Sequence, residues 1–324
     1  MRVLVTGASG LLGSGVATAL RDRGDDVTVL QRRSAALGGV REVLGDVADP
    51  DAVRAAVFGQ DAVVHLAAKV SMTGPWRDFA ATNIGGTANL LEASRSAGVG
   101  RFVQVSSPSV AHGGASLQGA AAEPAAPGSA RGRYARSKAT AELAALGADG
   151  PGFAVVAVRP HLVWGPGDTQ LVGRIVERAR TGRLAIVGDG TALIDTTYVD
   201  NAVEALVAAL DRAAAAHGQA LVVTNGEPRP VGEVLTRLCL AAGVEPPQRH
   251  VPFRVARAAG ALVELAWSAS RRSAEPPMTR FLAEQLATAH WFDQRRTREV
   301  LGWSPRVGLA EGFARLAAWY ATRP

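Results

Sequence analysis

The first half of the chain alternates short runs that are mostly apolar, on consecutive positions and not on every second one, with longer stretches rich in Ala and Leu. Runs of this kind predict strands of a parallel sheet with helices on both faces, because both sides of each strand are then buried. The predicted strands are Val3–Thr6, Val27–Leu30, Ala62–Leu66, Phe102–Ser106 and Ala154–Val158. The predicted helices are Leu11–Arg23, Ala52–Phe58, Asn83–Ala97 and Arg136–Leu146. This alternation predicts an α/β fold built on a doubly wound parallel sheet.

The pattern changes after Pro160. A helix over 171–181, a strand over 184–187, a helix over 201–215 and a strand over 220–224 predict a partial return to the sheet, and mainly helices follow Pro228. We therefore predict a sheet domain over 1–165, with return segments at about 190–225. A smaller, mostly helical C-terminal lobe, made of 166–189 and 226–324, is predicted to bind substrate. Residues 111–133 have no periodicity, and loops of this length tend to be functional.

A glycine motif follows the first predicted strand directly. The glycines stand at positions 7, 10 and 13, a G-x-x-G-x-x-G spacing that opens the first helix. Such a turn lets the backbone approach a pyrophosphate, and the N-terminus of the helix attracts the anion. The sequence therefore predicts a Rossmann domain that binds a dinucleotide. The turn residues predicted to contact it are Gly7, Ser9, Gly10, Leu11, Leu12 and Gly13.

The residues after the second strand bear on the choice of dinucleotide. An Asp or Glu there binds the ribose hydroxyls of NAD, but this chain has Gln31, Arg32 and Arg33. Two guanidinium groups without a carboxylate favour the 2′-phosphate of NADPH, so NADP(H) is predicted over NAD(H). The alternative is that both arginines belong to an ordinary charged surface. Further predicted cofactor contacts at the strand ends are Asp46, Val47, Leu66, Ala67 and Ala68.

Composition narrows the search for chemistry, because 33 of the 35 basic residues are Arg and only two are Lys. Tyr is also scarce, with three in 324 residues. Tyr134 and Lys138 nonetheless stand four positions apart, on one face of a predicted helix. Composition alone gives about 0.02 such pairs, so chance is a poor explanation. A nearby lysine lowers the pKa of a tyrosine, which can then act as a general acid or base.

The net charge of +6 is spread among acids, with no basic run longer than a pair flanked by neutral residues. This is typical of a solvated surface, so no nucleic-acid partner is expected.

A single cysteine, Cys239, predicts no disulfide and no zinc cluster within the chain, and no metal site is expected. The chain has no signal-peptide pattern and no apolar run near ~20 residues, which predicts a cytoplasmic protein without a transmembrane segment.

Residues 253–270 form a candidate amphipathic helix with apolar Leu262, Leu265 and Trp267. Arginines stand near its ends, at positions 254, 257, 271 and 272. A core or substrate-lid helix is the favoured interpretation, and peripheral contact with a membrane surface is the alternative.

Together these motifs resemble the extended short-chain dehydrogenase/reductase superfamily, also described as NAD-dependent epimerases and dehydratases. The likeness covers nearly the whole chain and rests on Thr6–Gly13, Asp46-Val47, His65–Ala68, Asn83, Ser106-Ser107 and Tyr134–Lys138. The resemblance implies catalytic roles for Ser107, Tyr134 and Lys138, with Asn83 supporting a proton relay through water. It also implies a homodimer, formed through helices 83–97 and 136–146. Further cofactor contacts assigned with this resemblance are Lys69, Tyr134, Lys138, Pro160, Leu162 and Val163.

Within the superfamily, Leu162 stands where nucleotide-sugar epimerases and dehydratases usually have an Asn that holds the phosphates of their substrate. The chain is more similar to the 3β-hydroxysteroid dehydrogenase branch, and most of all to bacterial 2-alkyl-3-oxoalkanoate reductases of long-chain olefin biosynthesis. The resemblance implies NADPH-dependent reduction of a 3-keto group on a bulky apolar substrate, in the first place a 2-alkyl-3-oxoalkanoic acid. Lys69, as a counter-charge for the acid, is a candidate for the substrate pocket, as are His112 and Trp164.

Three alternatives remain open at this point. One is a 3β-hydroxysteroid or sterol-4-carboxylate dehydrogenase, and another is a nucleotide-sugar epimerase. The third is a cofactor-binding regulatory or assembly subunit without catalysis. Such subunits usually lose the Tyr or the Lys, and this chain has both Tyr134 and Lys138.

Overall fold

The centre of the molecule is a parallel sheet of seven strands. The structure is a computed structural model, and it describes residues 1–71, 73–269, 276 and 278–323. The described strands are β1 Arg2–Thr6, β2 Asp26–Gln31, β3 Arg41–Leu44, β4 Ala62–His65, β5 Arg101–Val105, β6 Leu117–Ala120, β7 Ala154–Pro160, β8 Val163–Trp164, β9 Ile186–Val187, β10 Leu193–Ile194, β11 Thr197–Tyr198, β12 Ala220–Val223, β13 Arg229–Pro230, β14 His250–Val251 and β15 His290–Phe292. The order in the large sheet is β12-β7-β5-β4-β1-β2-β3, with every neighbouring pair parallel. Because the order reverses at β1, a crevice forms at the carboxyl ends of β1 and β4, where such sheets bind ligands.

Successive residues of the central strands are buried on opposite faces of this sheet. In β1, Val3 and Val5 belong to one hydrophobic cluster and Leu4 to the other. In β5, Val103 and Phe102 repeat the arrangement. Burial on both faces explains why the middle residues of these strands are mostly apolar on both sides, rather than alternating apolar and polar. The predicted α/β fold with a doubly wound parallel sheet is confirmed, and the five strands predicted for its centre differ from the observed ones by one or two residues at either end.

Helices cover both faces of the sheet. The described α-helices are α1 Leu11–Asp22, α2 Pro50–Val57, α3 Trp76–Phe79, α4 Gly86–Ser96, α5 Gly132–Gly147, α6 Val172–Arg180, α7 Val199–Asp211, α8 Ala213–Ala216, α9 Val231–Ala241, α10 Phe253–Ala269, α11 Arg280–Ala287, α12 Arg295–Leu301 and α13 Leu309–Ala321. α1 packs on α7, where Gly15 lies against Val203, and α2 packs on α4. A π-helix, Ala80–Gly85, leads into α4, and a 3-10 helix, Pro108–Ala111, follows β5.

A second sheet joins segments that are far apart in sequence. Its order is β13-β10-β15-β6, and Leu117 of β6 is the parallel partner of His290 in β15. β6 lies within residues 111–133, where the sequence predicted a loop without regular structure. That prediction is wrong for these four residues, because they have no strand pattern of their own and are ordered by pairing with β15. The division into a sheet domain and a C-terminal lobe stays a prediction.

Helix α10 presents apolar side chains to solvent. Ala256 packs in a small cluster with Val187 and Ala283, while Leu262 and Leu265 on other faces are exposed. The end of the predicted segment at 270, the arginines at 271 and 272, and Pro277 lie outside the described residues. None of the helices that the structure describes is long and apolar enough to cross a membrane.

Candidate active site

The glycine motif forms a turn between β1 and α1, at the crevice of the sheet. Gly7 has φ +77°, and a Cβ there would lie 2.8 Å from the backbone nitrogen of Ala67. A Cβ on Gly13 would lie 2.2 Å from the carbonyl oxygen of Gly7. Only glycine therefore fits at these two positions, because the turn packs directly on the backbone that follows β4.

The N-terminus of α1 is open at this turn. Gly10 is the N-cap and no side chain caps the helix, so amide groups of its first turn are free to bind an anion. Ser9 and Gly10 are exposed, and Leu11 and Leu12 are half-buried behind them. This cradle fits the pyrophosphate of a dinucleotide, which would be held by backbone amides of the turn.

The segment after β2, where the sequence predicts contacts with the adenosine ribose, lies next to a carboxylate that the sequence reasoning missed. Arg32 and Arg33 are exposed just beyond β2, as expected. Glu42 of β3 accepts hydrogen bonds from the side-chain amide of Gln31 and from the backbone N–H of Ala35 (3.0 Å). Hydrogen bonds with Ser34 and with Ala35 lower the pKa of Glu42, so the group is ionised. This edge of the sheet thus has two exposed guanidinium groups and one carboxylate.

Five further predicted cofactor positions follow β3 and β4. Asp46 accepts from the backbone N–H of Ala48 (3.0 Å), and Val47 is buried against Gly86 of α4. After β4, the N–H of Ala67 donates to the hydroxyl of Thr6 (3.1 Å). Leu66 and Ala68 flank this bond and are half-buried.

His65, at the end of β4, is an interior histidine with both ring nitrogens engaged. Nδ1 lies 2.7 Å from the hydroxyl of Thr6, and Nε2 lies 3.1 Å from that of Thr87. Burial lowers the pKa of His65 to about 3, so the ring is neutral. It positions the strand end and takes no part in the chemistry proposed below.

Tyr134 and Lys138 lie one turn apart on α5, on the face that meets the end of β5. Lys138 is buried, and its Nζ donates to the backbone oxygen of Val105 (2.6 Å). Ser107 follows that strand and caps the 3-10 helix; its Oγ lies 2.9 Å from Oγ of Ser109. Ser107 is also a hydrogen-bond partner of the Tyr134 side chain. The structure therefore brings the three predicted catalytic side chains to one place.

Burial favours the uncharged form of both ionisable groups. It raises the pKa of Tyr134 to about 12, although hydrogen bonding with Ser107 acts in the opposite direction. It lowers the pKa of Lys138 to about 8, opposed by the charge of Glu142. The expected lowering of the Tyr134 pKa by Lys138 is not observed, because desolvation is the larger effect. Tyr134 holds its proton at neutral pH, as a proton donor to a carbonyl oxygen must.

Asn83 lies in the π-helix that leads into α4, a local geometry frequent at functional sites. Its Oδ1 accepts from the backbone N–H of Lys69 (2.7 Å), and its Nδ2 donates to Oγ of Ser137 (2.8 Å). Ser137 is next to Lys138 in α5. Asn83 therefore ties the segment after β4 to the catalytic helix.

A cavity of about 260 Å³ opens beside Tyr134 and Ser107. Its apolar walls come from Val70, Leu117, Leu162, Phe281, Leu282 and Phe292. Leu162, which follows β7, has φ +44° and faces the cavity. A site of this kind suits an apolar molecule with a reacting oxygen at the hydroxyl end.

Of the other residues predicted for the substrate pocket, one lines the cavity and two do not. His112 lines the cavity. Lys69 does not; its Nζ lies 3.4 Å from Asp78 and 5.5 Å from the centre of the Phe79 ring. Trp164 is fully buried in the core, where its Nε1 donates to Thr196 (2.9 Å). Pro160 ends β7 and Val163 begins β8, on either side of the cavity residue Leu162.

Sequence reasoning also missed three residues with basic side chains in the cavity wall: His161, Arg174 and His290. His161 had a signal, since it stands next to Leu162 at a strand end. Arg174 and His290 had no such signal, because their positions depend on how later segments fold back onto the sheet.

Within the described ranges, no group of three or more His, Cys, Asp or Glu side chains is arranged to hold a metal ion.

Comparison with known families decides where the chain belongs. Residues 3–224 match the model of the NAD dependent epimerase/dehydratase family. The chain is a member of that family. This match confirms the predicted superfamily. Together with the reductases and dehydrogenases among its relatives, it also confirms that the protein is an NAD(P)-dependent oxidoreductase.

This chain is similar to a 2-alkyl-3-oxoalkanoate reductase from Stenotrophomonas maltophilia, with 42% identity over 98% of this chain and 99% of the relative. It is also similar to a 3-beta-hydroxysteroid dehydrogenase from Mycolicibacterium neoaurum, with 29% identity over 98% and 91%. Among solved structures, MoeE5 in complex with UDP-glucose and NAD matches with a TM-score of 0.75 and 27% identity, over 99% of both chains. The predicted likeness to the 3β-hydroxysteroid dehydrogenase branch is confirmed.

Proposed function

We propose that this protein reduces the 3-keto group of a 2-alkyl-3-oxoalkanoic acid to the 3-hydroxy acid, with NADPH as the reductant. The observation that carries the proposal is the apolar cavity that opens beside Tyr134 and Ser107. The similarity over nearly the full length to a named 2-alkyl-3-oxoalkanoate reductase supports the substrate class. We also propose that this reaction is a step of long-chain olefin biosynthesis.

Bound NADPH supplies the hydride that reduces the ketone carbon. Tyr134 donates its proton to the ketone oxygen, and its raised pKa keeps that proton available. Ser107 orients the oxygen and stabilises the negative charge that develops on it. Lys138, held by the oxygen of Val105, provides a positive charge beside the tyrosine as it loses its proton.

Asn83 acts in this scheme as a positioning residue that also borders the proton path. Both ends of its amide are engaged, with the backbone of Lys69 and with Ser137. A water relay from Lys138 to solvent would pass along these groups. We also propose that the cofactor contacts predicted from the sequence bind NADPH. The C-terminal lobe would provide Phe281 and Leu282, which lie in the wall of the substrate cavity.

An assay of substrate choice tests the proposal directly. NADPH oxidation is measured with a 2-alkyl-3-oxo acid and its methyl ester, with a 3-ketosteroid, and with UDP-glucose. We expect turnover of the acyl substrates at least tenfold above that of the steroid, because one or two misplaced groups in an apolar pocket account for about that factor. Faster turnover of the steroid would assign the protein to a hydroxysteroid dehydrogenase instead. Activity on the sugar nucleotide without added cofactor would indicate an epimerase.

Cofactor preference is tested by removing both guanidinium groups. The double variant Arg32→Ala, Arg33→Ala should raise the KM for NADPH by about tenfold or more, because each lost hydrogen bond to a phosphate weakens binding by about that factor. The KM for NADH should change far less. Glu42→Gln is the matched change on the other side of the site, and we expect it to leave NADPH binding equal or stronger. Equal losses for both cofactors in the arginine variant would contradict NADPH preference.

We also propose that the protein acts in the cytoplasm as a homodimer, with α4 and α5 at the interface. Leu143 of α5 is exposed, which supports a partner on this face. Light scattering of the purified protein measures the mass in solution, and a monomer would remove this part of the proposal.

A further inference from the structure

A cluster of three histidines closes one side of the cavity. His112 ends the 3-10 helix that follows Ser107, His161 follows β7, and His290 lies in β15. The ring centres of His112 and His290 are 4.8 Å apart, and those of His161 and His290 are 6.2 Å apart. All three line the cavity that Tyr134 borders. The reaction proposed above uses none of them.

The hydrogen bond of His161 determines which of its nitrogens carries the proton. Nδ1 lies 2.6 Å from the backbone oxygen of Asp195, which can only accept, so Nδ1 donates. Nε2 of the neutral ring therefore has a lone pair. Nε2 has no partner among the described residues and is not sealed from solvent, unlike Nδ1 of His112 and Nδ1 of His290. Nε2 of His161 is thus the open nitrogen of the cluster.

We propose that His161 binds the carboxylate of the substrate acid and takes up a proton from solvent as the acid binds, an inference that rests on the proposed function. In the complex, Nδ1–H still donates to Asp195 and the new Nε2–H donates to the carboxylate. Both protons of the imidazolium are then hydrogen-bonded. The step adds one proton to the ring and changes no bond of the substrate.

The position of His161 suits the chemistry of a 3-oxo acid. Its carboxyl carbon is attached to C2, which is next to the ketone carbon, so the anion must lie at the same end of the cavity as Tyr134 and Ser107. The histidine cluster begins there, at His112. A carboxylate in apolar surroundings needs a counter-charge and a hydrogen-bond donor. Lys69 is outside the cavity wall and pairs with Asp78.

The groups around the ring favour its neutral form in the absence of an anion. Burial is the main cause that lowers the pKa of His161 to about 4; the hydrogen bond with the backbone of Asp195 acts in the opposite direction, and the neighbouring His112 acts in the same direction as burial. The titratable and charged groups on the surrounding elements are His112, His290, Glu284, Arg131, Arg174 and Asp195. Glu284 forms an ion pair with Arg257 (3.3 Å). A carboxylate at Nε2 acts against burial and raises the pKa of His161.

The sign of the pH effect follows from proton linkage. A protein that takes up a proton on binding holds the acid more tightly as the pH falls. Between the pKa of His161 in the free protein and its higher pKa in the complex, the Kd of the acid rises up to about tenfold per pH unit. The methyl ester carries no charge, so its Kd should stay level over the same range.

Calorimetry on the wild-type protein measures the proton directly. The 2-alkyl-3-hydroxy acid of medium chain length and its methyl ester are titrated into the protein saturated with NADPH, a combination of cofactor and ligand that cannot react. Each titration is repeated in two buffers of different ionisation enthalpy and at several pH values between about 6 and 8.5, a range in which the acid itself is ionised. We expect proton uptake with the acid and none with the ester. Absence of uptake with a tightly bound acid would overturn the inference.

Variants then locate the proton. His161→Gln should weaken binding of the acid by about tenfold to a hundredfold, the effect of losing a hydrogen bond to a charged group, and should abolish its pH dependence. Binding of the ester should be nearly unchanged, which also shows that the variant is folded. His217→Gln, at an exposed histidine that pairs with Asp149, is the matched control and should bind both ligands as the wild type does.

Two results separate this inference from the proposed function. If Arg174→Gln removes the preference for acid over ester and His161→Gln keeps it, the anchor is the guanidinium and the inference falls, while the proposed reduction stands. If neither the 3-oxo acid nor its ester is reduced and neither reduced ligand binds, both the proposed function and the role of His161 are wrong.

Discussion

Replacing Tyr134 by Phe is expected to lower the turnover number by about a hundredfold to ten-thousandfold, because the variant has no proton to donate to the ketone oxygen. The aromatic ring stays in place, so the shape of the cavity and the position of α5 are preserved. Tyr134 is half-buried beside Ser107, and its raised pKa of about 12 keeps it protonated at neutral pH. NADPH oxidation with the 3-oxo acid under saturating conditions measures the loss.

Binding of NADPH distinguishes a chemical role of Tyr134 from a structural one. Fluorescence titration should give nearly the same Kd for the variant and the wild type, since the contacts proposed for the pyrophosphate are backbone groups of the glycine turn. Tyr320→Phe, on the last helix α13, is the matched control and should keep full turnover. Unchanged turnover in Tyr134→Phe would exclude Tyr134 as the proton donor. A parallel loss of NADPH binding would indicate a damaged site.

The parts of the molecule that were predicted from sequence depend on local patterns. β1 and β5 are buried on both faces, so apolar residues such as Leu4 and Phe102 occupy both sides of these strands and the strands could be predicted without knowledge of their partners. The glycine turn was visible because Gly7 and Gly13 meet backbone that follows nearby strands. Tyr134 and Lys138 were visible because one helical turn separates them.

The parts that were missed depend on contacts between distant segments. β6 forms only because it pairs with β15, and this pairing brings His290 to the cavity. Glu42 of β3 contacts Gln31 of the neighbouring strand β2, so this carboxylate could not be recognised from the residues that follow β2. The raised pKa of Tyr134 was missed for a similar reason, since burial is a property of the packed site and not of the spacing.

Glu142 lies on α5, four residues after Lys138, and its replacement by Gln is the second change with a large expected effect. Glu142 forms a fully buried ion pair with Arg159 of β7, whose Nε donates to Oε2 (2.9 Å) and whose Nη2 donates to Oε1. Gln keeps the size of the side chain but leaves the guanidinium buried without a counter-charge. We expect the free energy of unfolding to fall by about 3–5 kcal/mol, as measured by denaturant titration.

The same substitution should alter the pH dependence of turnover. The charge of Glu142 raises the pKa of Lys138, so its removal lets burial lower that pKa further below about 8. The alkaline limb of the kcat profile, where Lys138 loses its proton, should therefore move to lower pH.

Two comparisons give this prediction its control. Glu233→Gln removes an exposed ion pair with Arg237 on α9, and the melting temperature should hardly change, because exposed pairs contribute little. The double variant Glu142→Leu, Arg159→Met should recover part of the stability that Glu142→Gln loses, since no buried charge is then unpaired. Recovery is incomplete because Arg159 also donates to the backbone oxygen of Glu123 (2.7 Å), which anchors the loop before α5. A single variant as stable as the wild type would mean that water reaches Arg159 and screens its charge.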